Sequence, residues 1–321
     1  MTASAPAARP PVSLETIRDA ANLLKGVAIR TPMVEVAGRR TFLKCEHLQP
    51  IGAFKVRGAH TAMARMDPAA RARGIVTSSS GNHGQAVAWA AHRFGVRSVV
   101  VMPESAPAVK VAGVRRHGGE VVFAGKTRSP EQNLVAERFV RDEGLILIPP
   151  FDHPDVIAGQ GTCGLEILEQ VPAVATVLVP VGGGGLLAGI ATAIKTLAPS
   201  VEIVGVEPAG APKLSAAIAA GRPVVLEDTM SLADGLLTRA IGTLTWALVQ
   251  PHVRRAVQVT EEEIGSAVGW LFHHQGLRVE PSGAVAVAAL LGGRVTVDGP
   301  AVAVLSGGNV DQAAFERLIT A

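Results

Sequence analysis

The stretch "ATVLVPVGGGGLLAGIATAIKTLAP", residues 175–199, constrains the fold most. A β-branched and leucine run meets four glycines, Gly182, Gly183, Gly184 and Gly185, and passes straight into an alanine-rich helical pattern. An apolar run without polar alternation reads as a strand covered on both faces, as parallel sheets require. The helix that follows supplies the crossover between parallel strands. The same grammar recurs along the chain. "GIVTSSSGNHG" runs strand into loop and "QAVAWAAHRFG" continues as a helix ended by Gly95. "VRSVVVMP", "EVVFAG", "VEIVGVEP" and "AVAVLSGGN" read as further strands. Between them "APAVKVAGVRRHGG", "SPEQNLVAERFVRDEG", "VTEEEIGSAVGWLFHHQG" and "SGAVAVAALL" read as helices, the second capped by Ser129 with Pro130 in its first turn. The expected fold is α/β, with parallel sheets flanked by helices in two lobes. The Ala/Pro-rich first dozen residues are expected to be frayed.

Three of the expected strands end in loops built to hold small anions. Gly182–Gly185 let backbone N–H groups converge at a helix N-terminus, a cradle for phosphate. One or two glycines would suffice for a tight turn; four in a row favour the anion site. Gly183, Gly185 and Ala188 also fit G-x-G-x-x-A, and Glu207 ends the next strand at the spacing of a ribose-binding acid. Locally a dinucleotide site, hence a nicotinamide-dependent oxidoreductase, is a fair alternative. A P-loop is excluded, because no Gly-Lys-Ser/Thr follows. "TSSSGNHGQA", residues 77–86, crowds Ser79, Ser80, Gly81 and Asn82 at a helix start, more donors than one N-cap needs, and suits a carboxylate. His83 beside them reads as a structural hydrogen bonder. "VLSGGNVD" presents Ser306, Gly307, Gly308 and Asn309 at the end of the last strand. Ligands of open α/β sheets gather outside such carboxyl ends.

Lys55 stands alone in "HLQPIGAFKVRGA", a small, apolar, glycine-flanked segment. A lysine amine kept from water loses basicity and becomes a nucleophile toward carbonyl carbon. If the three loops converge, this amine is the fourth component of one site.

Taken together, "GAFKVRGA", "SSGNHGQA", "PVGGGGL" and "SGGN", in this order, resemble the fold type II pyridoxal-phosphate enzymes, in the serine/threonine dehydratase and serine racemase branch. "TPM", "LKCEHLQP", "VMPESAP", "GQGT", "SLADGL" and "VEPSGA" are similar to that branch too, so the resemblance spans about Thr31 to Asn309. It implies a fold like that of the tryptophan synthase β subunit, with residues 1–52 and 148–321 forming a large cofactor-binding domain and 53–147 a small domain closing over the substrate. It implies that Lys55 holds pyridoxal 5'-phosphate as a Schiff base and removes the substrate's α-proton. Gly182–Gly185 would bind the cofactor phosphate, Asn82 the ring hydroxyl oxygen and Ser306 the pyridine nitrogen. Phe54 and Gly235 would lie against the ring and Glu280 near its polar edge. Ser79, Ser80, Gly81, Asn82 and His83 would grip the substrate carboxylate.

The implied reaction is dehydration and deamination of L-threonine or L-serine to a 2-oxo acid and ammonia. Ser80 matches the opposite-face base of the racemases, so amino-acid racemisation is the nearest alternative. A non-catalytic amino-acid binder would have no use for Lys55. Ala53 stands where the family often has serine. The racemase branch holds a divalent cation with a glutamate, a backbone carbonyl and an aspartate; Glu207 and Ala211 fit, but Lys213 takes the third place. Its ammonium is expected to replace the cation, so no metal is expected. The resemblance further implies a homodimer and leaves no room after Asn309 for a regulatory domain.

Composition narrows the partners. The chain has 30 Lys and Arg against 27 Asp and Glu, without a basic block, so nucleic acid is not an expected partner. No apolar run approaches the roughly 20 residues of a spanning helix, and the start lacks a signal-peptide pattern. Cys45 and Cys163 match no zinc or CxxC spacing and are expected as buried thiols. A protein of the cytoplasm acting on a small amino acid is the expectation.

Overall fold

The computed structural model describes residues 12–127 and 129–320; the expectation of a frayed start falls on residues 1–11, outside the described residues. The strands, in chain order, are β1 Met33–Glu35, β2 Thr41–Lys44, β3 Ile75–Ser78, β4 Ser98–Met102 and β5 Glu120–Phe123. They continue with β6 Ile146–Leu147, β7 Thr176–Pro180, β8 Glu202–Pro208, β9 Arg255–Val259 and β10 Ala301–Val304. Six form one sheet in the order β1-β2-β10-β7-β8-β9, and four form a second in the order β5-β4-β3-β6. Every neighbouring pair is parallel except β1 with β2.

The central strand β7 shows why the sheet is covered on both sides. Val177 and Val179 point into a core with Ile157, Ile190 and Val302, whereas Leu178 points into the opposite core with Val204, Val285 and Ala303. Each fully buried side chain of this size contributes about 1.5–3 kcal/mol, as an upper figure. The second sheet repeats the pattern at smaller scale: Val99 and Val101 face Ala136, and Val100 and Met102 face Ala88 and Val114.

Helix boundaries follow local chemistry. Thr260 and Glu263 form a reciprocal cap at the start of helix Glu261–Gln275, the two-donor arrangement that satisfies first-turn amides. Ser129, expected as a cap, stands one residue further out: helix Glu131–Glu143 is preceded by Pro130, and the Ser129 hydroxyl accepts from the Glu131 N–H at 3.3 Å. Helices Pro154–Gln170 and Gly185–Leu197 approach closely, since a Cβ on Gly189 would lie 2.5 Å from the Gly161 nitrogen. That contact seats the helix after the glycine loop directly against its neighbour.

One buried polar network crosses between elements. Arg57 holds Glu46 through Nε and Nη2 at 2.7 and 2.8 Å, and Glu166 through Nη1 and Nη2 at 2.7 and 2.9 Å. Lys44 adds a 2.6 Å contact to Glu166 and a 3.0 Å bond to the Thr31 carbonyl. Burial alone would raise the Glu46 carboxyl, yet the Arg57 guanidinium outweighs it and holds Glu46 below the usual carboxylate range. Helix Val56–Arg65, which begins just after Lys55, is thereby tied to β2 and to helix Pro154–Gln170.

Candidate active site

The seat of Lys55 is made by its own segment running beside residues 306–309. Phe54 N–H donates to the Ser306 carbonyl at 3.1 Å, and Gly308 N–H donates to the Gly52 carbonyl at 2.9 Å. Gly52 has φ +73°, and a Cβ there would lie 2.8 Å from Asn309 Oδ1. Lys55 Nζ lies 5.0 Å from the centre of the Phe54 ring and donates to the Pro150 carbonyl at 2.5 Å. Burial pushes its pKa down to about 7.

Pro150 begins the short segment that packs against the glycine loop. The next residue, Phe151, lies so close that a Cβ on Gly183 would be 2.3 Å from its ring, and one on Gly185 would be 3.0 Å from Phe151 Cβ. Asp152 then accepts from the N–H groups of Thr243 and Thr245 at 3.0 and 2.9 Å, fixing helix Thr243–Val249. That helix, which carries the buried Trp246, returns the Thr245 hydroxyl to the Gly183 carbonyl at 2.9 Å. Gly184, at φ +93°, caps helix Gly185–Leu197. The loop carbonyl is held from behind, and the first-turn amides of the helix have no partners within it. A Cβ on Gly182 would meet the Gly235 carbonyl at 3.3 Å, and Gly235 N–H donates to Ser282 Oγ at 2.8 Å.

The serine loop closes the opposite side. The Ser79 hydroxyl accepts from the Gly81 and Gly84 N–H groups at 3.3 and 3.2 Å. Ser80 is half-buried beside it. Asn82 starts helix Asn82–Phe94; its Nδ2 donates to Glu280 Oε1 at 2.5 Å and its Oδ1 accepts from Asn309 Nδ2 at 2.9 Å. His83 is buried, with Nε2 3.1 Å from the Ile148 carbonyl and its pKa pushed to about 3 by burial and the nearby Lys55. Burial therefore keeps its ring uncharged at neutral pH. A Cβ on Gly307 would fall 2.1 Å from Glu280 Oε1, so only glycine leaves room for that carboxyl. Ser306, also buried, has its Oγ 3.4 Å from the Ser282 carbonyl, a long contact.

Residues 25–307 match the family of pyridoxal-phosphate dependent enzymes. The chain belongs to that family. Among its curated relatives is the L-threonine ammonia-lyase of Thermotoga maritima, 41% identical over 96% of this chain and 78% of that one. The serine racemase of Arabidopsis thaliana is 38% identical over 92% of each chain. Among solved structures, maize serine racemase superposes with a TM-score of 0.91 at 35% identity, covering 97% of this chain and 98% of that one. The fold is therefore that of the fold type II pyridoxal-phosphate enzymes, and the cofactor is pyridoxal 5'-phosphate.

The residues present fit that cofactor. It needs a cradle for a phosphate, an apolar seat for a ring and an amine for an aldehyde carbon. The glycine loop under Phe151, the small residues at 235 and 307, and the desolvated Lys55 meet these needs in one place.

Outside this cluster, Glu207 is buried, and its two oxygens accept from the Leu214 and Ser215 N–H groups at 2.8 Å each. A carboxylate spent on a helix start cannot bind a ribose, which disposes of the dinucleotide reading of the glycine pattern. Lys213 Nζ donates to the Ala211 carbonyl at 2.8 Å and lies 3.8 Å from Glu207 Oε2.

Sequence reasoning passed over four neighbours of the site. Phe151 and Asp152 act by packing and by accepting amide hydrogens, and "PFDHP" carries no local pattern that announces this. Lys110 and Asp234 approach each other at 2.6 Å beside Glu280. Lys110 did carry a signal, since it stands alone among small apolar residues as Lys55 does.

Proposed function

We propose that this protein removes water and then ammonia from L-threonine or L-serine, leaving the 2-oxo acid. One observation carries the reading: a half-buried lysine amine, brought to about pKa 7 by desolvation, rests on the Pro150 carbonyl, next to the Phe151 that packs on the glycine loop. No carboxylate among the described residues pairs with it, so it can shed its proton near neutrality. Pyridoxal 5'-phosphate, when bound, supplies an aldehyde carbon for this amine and a ring that draws electrons from the substrate's α-carbon.

The protein's own groups divide the remaining work. Gly182–Gly185 would hold the phosphate with backbone N–H groups at a positive helix end. Ser79–His83 hold the substrate carboxylate, with the N-terminus of helix Asn82–Phe94 adding positive potential. Lys55 Nζ, desolvated and near neutrality in its pKa, would take the substrate's α-proton. Ser306 would offer its hydroxyl to the pyridine nitrogen, since its long contact to Ser282 is weak enough to yield. A neutral partner leaves that nitrogen largely unprotonated, which favours a reaction whose β-hydroxyl leaves and carries electrons away. Phe54, Gly235, Asn82 and Glu280 would seat the ring.

Purified protein supplied with pyridoxal 5'-phosphate should be yellow, and borohydride should fix the cofactor on Lys55. Ammonia and 2-oxo acid should appear from L-threonine or L-serine; hydroxyaspartate completes the panel. A colourless protein that releases neither product would end the reading. Ser80 in the carboxylate loop supports a second reading, racemisation. D-serine formed without comparable pyruvate would favour it.

The lobes are proposed as 1–52 with 148–321, and 53–147. The placement of β3 to β6 within the second range supports this division. A homodimer is proposed, to be read by sedimentation. A reducing cytoplasm suits the free, buried Cys45 and Cys163.

A further inference from the structure

Lys110 is a lysine with 1% of its surface exposed, on helix Ala108–Arg116, which packs on the four-stranded sheet. Its Nζ leaves that sheet's layers and ends between two carboxylates from the other side of the cleft. Asp234 Oδ2 is 2.6 Å away and Glu280 Oε2 3.1 Å away. The neighbouring Val109 N–H donates to Asp311 Oδ1 at 3.1 Å, a second bond across the same gap. The stem of Lys110 runs beneath the serine loop, where a Cβ on Gly81 would lie 3.1 Å from Lys110 Cδ. Burial alone would lower the Lys110 amine, but Glu280 and Asp234 outweigh it and keep it an ammonium. Burial raises the Glu280 carboxyl, and Lys110 opposes that rise.

These contacts form one chain: Asp234, Lys110, Glu280, Asn82, Asn309. Glu280 gives one oxygen to Lys110 and the other to Asn82. Asn82 in turn is held at its Oδ1 by Asn309. We infer that Lys110 is a positioning residue which, by pairing with Glu280 and Asp234 across the cleft, fixes Asn82 and holds the Ser79–Gly84 loop in register for the substrate carboxylate. Without the ammonium, the buried Glu280 carboxylate and the half-buried Asp234 carboxylate face each other with no cation between them. Glu280 must then take a proton or turn away, and either change disturbs the oxygen that holds Asn82. The inference rests on the proposed reaction for its substrate readout but not for its structural one.

The test uses the protein loaded with saturating pyridoxal 5'-phosphate. Lys110→Met keeps the stem under Gly81 and removes the charge. Relative to the parent, KM for L-threonine should rise about tenfold or more, and amide hydrogen exchange across residues 79–84 should quicken by a similar factor. Adding Asp234→Asn removes the surplus negative charge and should bring both quantities back to within about threefold of the parent. A lysine that mattered only as packing would give no such recovery. Unchanged KM and exchange in Lys110→Met, or no recovery in the double variant, would overturn the inference. Should Lys110→Met not fold, Lys110→Gln takes its place, and parental KM and exchange there would overturn the inference equally. If the parent releases no ammonia, the proposed reaction fails, while the exchange measurements still decide the role of Lys110.

Discussion

An amine that gives up its proton near neutrality meets an aldehyde differently from one on the surface. Lys55 has its pKa lowered by burial from 10.5 to about 7. Below that value the ammonium has no lone pair to add to carbonyl carbon; above it the free amine predominates. Capture of pyridoxal 5'-phosphate by the apoprotein, followed by absorbance, should therefore rise through pH 7 and level off about one to two units above. A surface lysine would go on gaining rate toward 10. A profile with that late rise would show that Lys55 is hydrated. The sign for stability agrees: between about 7 and 10.5 the unfolded chain binds the proton and the folded chain does not, so this residue makes folding more favourable as pH rises through that window. The role proposed for Lys55 could be read from the sequence because an isolated cation in an apolar segment is a local fact. The group that seats the amine was not, since Pro150 acts through a carbonyl that every residue possesses.

Helices and strands hold the site by contacts that no local pattern specifies. Arg57 is two residues beyond Lys55, and its pairing with Glu46 and Glu166 fixes the start of helix Val56–Arg65. Arg57→Ala leaves Glu46, fully buried, without its partner. It should cost about 3–5 kcal/mol, read as a lower midpoint in urea. A loss under about 1 kcal/mol would mean that water enters the network freely. The start of helix Lys213–Ala220 makes a separate prediction. Lys213 sits against the Ala211 carbonyl and the Glu207 carboxylate, and among the described residues no cluster of three or more His, Cys, Asp and Glu is placed to bind a metal. Treating the loaded enzyme with a chelator should leave ammonia release unchanged; a loss restored by Mg2+ would refute this. The strand-to-loop junctions at β3, β7 and β10 were readable because glycines and small polar residues at strand ends answer a backbone requirement. The same requirement serves different ligands, which is why the glycine spacing alone admitted a dinucleotide. The amides that occupy Glu207 decided the matter, and they come from a turn whose path depends on tertiary structure.

Across the whole molecule, the groups assembled around Lys55 come from both sheets' loops, and folding must bring them together before any ligand can span them. A cofactor bound only by the folded chain stabilises it by mass action, about 2.7 kcal/mol at a hundredfold excess over Kd. Thermal unfolding of loaded protein should occur well above that of the apoprotein, and coincident curves would mean that the cleft does not retain its ligand. The topology was legible in outline from the alternation of strand and helix, whereas the pairing of β1 antiparallel to β2 was not, since three and four residues carry too little pattern. The chain contains three tryptophans and no tyrosine, and Trp246 lies one residue from the threonine that grips the glycine loop. Its ultraviolet emission can pass by energy transfer to a yellow chromophore seated there, so the protein carries its own optical gauge of occupancy, dimming as the cleft fills.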